Sequence, residues 1–269
     1  MILGYDKGAS AVKLVAIDGD TVLLEKCVVG SVPGTEALLS DFLTENGIGE
    51  EQISLIGTTG VGAENCRFGR FTAKVRIIPE IEATGAGGLW LSGLDESVIV
   101  SIGTGTAIIL AKNGRFTHIG GSGVGSGTLR GLAKKMFGIT DLRAFFALAE
   151  KGDRLTVDIT IGDLFSGTDT LPLNLTASNL AKASEGATEA DWARALVNTV
   201  MEVSGSHAAL ACRGFGVTNV VITGGISQTA AAKAVYDNFS RLYQLNYSIP
   251  GHSGYATAIG AARRAGYGI

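Results

Sequence analysis

Cysteine is scarce in this chain of 269 residues, and Cys27, Cys66 and Cys212 form an odd, widely spaced set. That number and spacing exclude a disulfide framework or a zinc cluster and fit a reducing compartment. There are four prolines, so no Pro-rich linker marks a flexible domain junction. The three histidines, His118, His207 and His252, share no metal-ligand spacing with the cysteines, and His207 reads as a packed residue on an alanine-rich helix. Positive charge is not in excess. With 22 Lys and Arg against 25 Asp and Glu, the net charge of −3 removes the electrostatic basis for nucleic acid or an anionic membrane surface. Small molecules are the expected partners. No run reaches the ~18 apolar residues of a membrane span, and the opening MILGYDKGAS lacks a secretion-signal core. A cytoplasmic location is the expectation. Also missing are GxxxxGK[ST], an uninterrupted GxGxxG and GxSxG, which argues against a P-loop, a Rossmann dinucleotide site and the commonest serine hydrolase.

What is present is apolar strand and glycine. Hydrophobic residues make up 46%, enough for a large core in one domain or two lobes. The 39 glycines cannot all carry chemistry, and most read as turns and caps; their clusters matter. From Val98 a strand breaks at Ser101 to Thr106, a second strand follows, Asn113-Gly114 reverses it, and Gly120 to Gly127 leads into a helix around Leu129 and Leu132. Such backbone exposes N–H groups to an anion. The first residues repeat the order: Ile2 to Tyr5, the turn Asp6-Lys7-Gly8-Ala9-Ser10, a strand from Val12 to Ile17, the turn Asp18-Gly19-Asp20, and a strand from Thr21 to Val29. Two such units, about 95 residues apart, predict two related lobes.

Between the units, Thr35 to Glu45 has helical spacing with Thr35 as its cap, and Ile53 to Thr58 and Arg76 to Ile78 read as strands. Glu80 and Glu82 then open a helix, where carboxylates also suit the positive end of its dipole. Downstream, Leu142 to Ala149 reads as helix, Thr156 to Ile161 as strand, Ser178 to Ala183 and Asp191 to Cys212 as helices, and Val217 to Ile222 as the last core strand. It ends at Thr223-Gly224-Gly225-Ile226-Ser227. Thr229 to Tyr243 and Gly254 to Arg264 are the closing helices, with extended chain from Leu245 to Ile249. Three small polar turns at strand ends, those at Asp6, Gly103 and Thr223, are candidates to hold a nucleotide. Arg130, Lys134 and Lys135 follow the glycine-rich loop on a helix and serve either a triphosphate or the solvent.

The chain resembles the type II pantothenate kinases, members of the actin, sugar kinase and Hsp70 superfamily of two-lobed ATP-binding proteins. The resemblance runs from Gly4-Tyr5-Asp6 to Ala258-Ile259-Gly260-Ala261, through Ser101 to Thr106, Ile119 to Gly127, Gly152-Asp153-Arg154 and Leu175 to Asn179. It implies an α/β protein of two ribonuclease H-like lobes, the actin-like ATPase fold, with a nucleotide cleft between residues 1–95 and residues 96–269. It implies ATP- and Mg2+-dependent phosphorylation of the primary hydroxyl of pantothenate, the first step toward coenzyme A, by a homodimer. Carried over by position, the nucleotide would meet Asp6, Lys7, Gly8, Ala9, Ser10, Lys13, Gly103, Thr104, Gly105, Thr106, Gly125, Ser126, Gly127, Thr128, Arg130, Gly224, Gly225 and Ile226. Asp6 would orient the metal. Glu80 would be the base, placed ahead of Glu82, and His118 and Thr176 would face the substrate. Three departures stand out. The family turn Asp-x-Gly-Gly-Thr is Asp6-Lys7-Gly8-Ala9-Ser10 here. His118 stands where the family has an arginine in the substrate pocket, without that residue's permanent charge and fork. The segment Asn246 to Ser253, where the family's dimer partner reaches the substrate, matches poorly. A kinase for another acceptor, a sugar kinase, and a nucleotide-binding regulator without turnover are the alternatives.

Overall fold

Alternation along the first strand sets the layers. Leu3 and Tyr5 point to one face of a sheet, where Leu38, Leu39 and Phe42 of a helix cover them, while Ile2 points to the other, against Ala258 and Ile259. The structure is a computed structural model and describes residues 1–30, 34–166 and 171–267. The final two residues of the expected second lobe, 268 and 269, lie outside those described. The first sheet comprises β1 (Ile2–Lys7), β2 (Ala11–Asp18), β3 (Thr21–Val29), β4 (Leu55–Gly60) and β5 (Lys74–Ile77), in the order β3-β2-β1-β4-β5. Helix α1 (Thr35–Glu45) covers its outer face. Gly34, not Thr35, is the cap, and Thr35 is already the first helical residue.

The second sheet repeats the plan. β6 (Ser97–Ile102), β7 (Thr106–Lys112) and β8 (Arg115–Ser122) form the antiparallel ribbon, and β11 (Asn219–Thr223) and β12 (Asn246–Ser248) add in parallel beside β6, giving β12-β11-β6-β7-β8. Between them come α3 (Ser126–Phe137), α4 (Leu142–Ala149), β9 (Ile159–Thr160), α5 (Ile161–Leu164), β10 (Thr176–Ser178) and α6 (Glu189–Phe215); α7 (Ala230–Tyr243) precedes β12. Val98, Val100, Ile102 and Ile222 pack on α3, α4, α6 and α7, the largest core.

Two helices fill the space between the sheets. α2 (Glu80–Ser92) lies on Ile99, Ile109 and Val221 of the second sheet, and α8 (Ala256–Tyr267) lies on Ile2, Val15 and Ile17 of the first. They cross backbone to backbone. A Cβ on Gly87 would stand 1.8 Å from the Ala256 carbonyl oxygen, and one on Gly260 1.8 Å from that of Ala83. Only glycine permits that approach.

One expected element is shortened and another is not formed. Thr156 to Ile161 is a 3-10 turn (Arg154–Thr156), then the two residues of β9, then the start of α5. Ser178 to Ala183 is not helical. Leu180 N–H donates to Asp158 Oδ1 at 2.9 Å, and the amides of Lys182 and Ala183 donate to the Val157 carbonyl, so side-chain and distant carbonyl acceptors displace the helical ladder. Leu180 and Ala183 accordingly take φ of 63° and 41°. No described helix is long and apolar enough to cross a membrane.

Candidate active site

The ends of β1 and β6 bring two polar turns face to face. Asp6 is the last buried residue of β1, opposite Lys13 on β2 and Thr59 on β4. The chain then turns through Gly8 to Ser10. On the other sheet, Gly103 to Gly105 joins β6 to β7. The Ser10 and Thr104 hydroxyls meet at 2.9 Å, a direct bond between the two turns. The third turn follows β11. Gly224 takes φ of 103°, and a Cβ there would stand 2.3 Å from the Ile102 carbonyl oxygen, so glycine is required. Ser227 and Ser253 hydroxyls bond at 2.7 Å and hold this turn to the chain entering α8.

These turns border a cleft of about 1000 Å³. Of the residues singled out in the sequence, it gathers Asp6, Gly8, Ala9, Ser10, Lys13, Glu80, Gly103, Thr104, Gly105, Thr106, Ser126, Arg130, Gly224, Gly225 and Ile226. Six others assigned to the nucleotide or substrate by the resemblance are outside the lining. Lys7 has its carbonyl bonded by Val61 N–H, and its Nζ lies over the Gly60 to Gly62 turn. Gly125 and Gly127 pack behind the second turn, because the amides of Ser126 and Gly127, the first in α3, donate to the Gly103 and Thr104 carbonyls at 2.8 and 2.9 Å. Thr128 Oγ1 donates to the Gly123 carbonyl and accepts from Gly125 N–H. The glycine-rich segment therefore buttresses the second turn, and its first part, Gly120 to Ser122, is strand.

His118 is exposed on β8, paired with Ile109, on the face that α2 covers. Thr176 lies in a separate polar cluster. It accepts from Arg154 at 2.9 Å and donates to Glu202 at 2.8 Å, while Arg154 and Asn198 both reach the buried Asp158.

Glu80 and Glu82 diverge. Glu82 is ion-paired with Arg264 of α8, whereas Glu80 lines the cleft. Burial pushes the Asp6 carboxyl up to about 7, with Lys13 opposing and Glu80 adding to the rise. The Cys27 thiol, opposite Lys13 on β3, is also raised by burial. Thr58 and Thr59 keep buried hydroxyls without a hydrogen-bond partner among the described residues.

The sequence reading did not single out Cys27, Val61, Asp141, Arg143, Phe146 or Thr257, which also line the cleft. One local signal existed: Asp141 caps α4, accepting from Arg143 N–H at 3.0 Å. Thr257 had none, since its hydroxyl meets Thr84 of α2 at 3.0 Å, a contact 173 residues away.

Comparison with known proteins places this geometry. The chain is 33% identical over 146 residues to a type II pantothenate kinase of Bacillus cereus, covering 52% of this chain and 53% of that protein. It is 28% identical over 235 residues to one from Staphylococcus haemolyticus, covering 83% and 84%. The chain thus spans about half the length of the Bacillus relative. In three dimensions it is similar to the activator of the 2-hydroxyisocaproyl-CoA dehydratase from Clostridium difficile with bound ADPNP, at a TM-score of 0.69 and 19% identity over 98% of this chain and 93% of that one. It is also similar to a ROK family glucokinase from Streptomyces griseus in complex with glucose and AMPPNP, at a TM-score of 0.61 and 14% identity over 98% of both chains. These neighbours share the α/β fold of two lobes, the actin-like ATPase fold. The Fumble family model matches residues 97–264, and the chain belongs to that family, the type II pantothenate kinases.

Proposed function

We propose that the protein is an ATP-dependent phosphotransferase acting on a small-molecule hydroxyl, with pantothenate the acceptor that the relatives' names offer first and coenzyme A biosynthesis its setting. The observation that carries this reading is the pair of opposed turns bonded through Ser10 and Thr104, with Asp6 and Glu80 beside them. Amides and hydroxyls of Gly8 to Ser10 and Gly103 to Thr106 hold the phosphates, Lys13 offsets their charge, and Gly224 to Ile226 meets the nucleoside. Glu80 takes the acceptor's proton as its oxygen bonds to the γ-phosphorus and the bond to the β-phosphate oxygen breaks, releasing ADP. General-base help of this kind contributes roughly 10²–10⁴ in rate. The two carboxylates Asp6 and Glu80, facing one lysine, fit a hard cation with oxygen ligands. Mg2+ held by Asp6 would neutralise charge on the phosphate oxygens.

Residues 1–95 and 96–269 are read as the lobes, with α8 crossing from the second to the first sheet. The free state of Cys27, Cys66 and Cys212 supports a cytoplasmic site. Exposed Leu210 and Phe215 on α6 support a homodimer through that helix. Mg-ATP supplied with pantothenate, pantetheine, pantoate and hexoses tests the activity. Acceptor-dependent ADP release is expected. Hexose-only turnover would make the protein a sugar kinase, and ATP binding without acceptor-dependent turnover would make it a nucleotide-driven regulator.

A further inference from the structure

One rung of the first sheet carries three polar side chains at the cleft. Lys13 of β2, Asp6 of β1 and Thr59 of β4 are paired neighbours in register, so their side chains share a face. It is the face that α8 covers. Two residues back along the same strands, a Cβ on Gly4 would stand 2.0 Å from the Ala258 carbonyl oxygen, and one on Gly57 2.2 Å from that of Ala261. Asp6 and Lys13 line the cleft, while Thr59 is wholly buried beside Asp6. The Asp6 carboxyl leans toward the strand of Thr59. Its Oδ1 lies 2.9 Å from where a Cβ on Gly60 would stand, and glycine there leaves that space to the carboxyl.

The Thr59 hydroxyl has no hydrogen-bond partner among the described residues. A buried hydroxyl left in that condition is costly, and its partner is commonly a water, an ion or a group that a ligand orders. Thr58 has an equally buried, unpartnered hydroxyl, but it lies on the opposite face of β4, with Ile56, toward α1. Of the two, Thr59 alone shares a face with Asp6. Adjacent strands run about 4.8 Å apart, a spacing that a threonine hydroxyl and a carboxylate leaning toward it can close with one hydrogen bond.

We propose that Thr59 is a positioning residue for the cation site at Asp6, its hydroxyl donating to one carboxylate oxygen and turning the other toward the cleft. The proposal rests on the phosphotransferase reading for the presence of Mg2+ at Asp6. Thr59 touches neither nucleotide nor acceptor and acts through Asp6. Lys13 offsets the carboxylate's charge from β2, and Thr59 sets its direction from β4, because a hydrogen bond to an ionised oxygen is short and strong. Outer partners of this kind change metal affinity by roughly 10–100-fold.

The test uses Mn2+ as the probe, titrated into the full chain holding a non-hydrolysable ATP analogue, with free Mn2+ read by electron paramagnetic resonance. Asp6→Asn marks the affinity left when the site is lost. Thr59→Val keeps the side chain's shape and removes the hydroxyl. It is expected to weaken Mn2+ binding about tenfold and to leave the unfolding temperature unchanged or higher, since an unpaired buried hydroxyl is gone. Thr59→Ser, which restores the donor, and Thr58→Val, the same deletion on the opposite face, are expected to bind Mn2+ as the parent does. A folded Thr59→Val with the parent's affinity overturns the proposal, and so does an equal loss in Thr58→Val. Parent and Asp6→Asn binding Mn2+ alike overturns it too, by removing the cation site. If Thr59→Val does not fold, Thr59→Ala is read in its place. ADP release with Mg-ATP is assayed separately: the expected Mn2+ pattern without acceptor-dependent release retires the kinase reading and keeps the role of Thr59, whereas release with no Mn2+ effect in Thr59→Val retires the proposal alone.

Discussion

Asp6 is a carboxyl whose charged form the fold disfavours. Held at about 7 against an ordinary 3.8, it binds its proton more tightly folded than unfolded. The sign follows: folding is weakened as pH rises from about 4 to 7, fully so above that, and relieved below. In metal-free buffer at pH 8, Asp6→Asn should therefore unfold a few degrees higher than the parent chain, the gap closing below pH 4, while phosphoryl transfer is lost. Thermal scans across pH check this. The neighbouring choice, Glu80 over Glu82, was not legible in sequence, because it depends on Arg264, 182 residues from Glu82. Glu82→Gln removes a partly exposed ion pair and should cost no more than about 1 kcal/mol of stability, measurable by urea unfolding. The face on which His118 lies was not legible in sequence for a related reason. The ladder between β7 and β8 skips Ile119, and such a bulge reassigns the faces on either side of it.

The two ribbons and their polar turns were legible because each carries its own signals: alternating apolar residues, Asn-Gly or Asp-Gly reversals, and small residues at strand ends. The segment Ser178 to Ala183 was not, since the amides of Leu180, Lys182 and Ala183 bond to Asp158 and Val157 and not along a ladder. The crossing of α2 and α8 was hidden as well. Gly85, Gly87 and Gly88 lower the helical propensity of α2, and their reason is the closeness of α8 and the second sheet. Gly87→Ala or Gly260→Ala should destabilise the protein by about 1–3 kcal/mol, the usual cost of overpacking, seen as a lower midpoint in denaturant. The bond between Ser10 and Thr104 makes a kinetic claim instead. Thr104→Val should raise the KM for ATP about tenfold, the order expected for one lost hydrogen bond to a charged group, with little change in unfolding temperature. Steady-state kinetics at varied ATP separates the two effects.

At the scale of the molecule, layers follow one another from α1 through the first sheet, the α2 and α8 pair and the second sheet to the helices around α6. This stacking puts the strand ends of both sheets, and the start of α2, at one cleft. A repeated βββ ribbon was enough to predict two related sheets; their meeting through two glycine-bearing helices was not. The central claim is that this cleft transfers a phosphoryl group with Glu80 as base. It is tested most directly by following γ-phosphoryl label from ATP to an accepted alcohol in the parent chain, Glu80→Gln and Glu82→Gln. The account predicts a loss of roughly 10²–10⁴ in kcat for Glu80→Gln and a rate near the parent's for Glu82→Gln. Transfer by Glu80→Gln at the parent rate would contradict it.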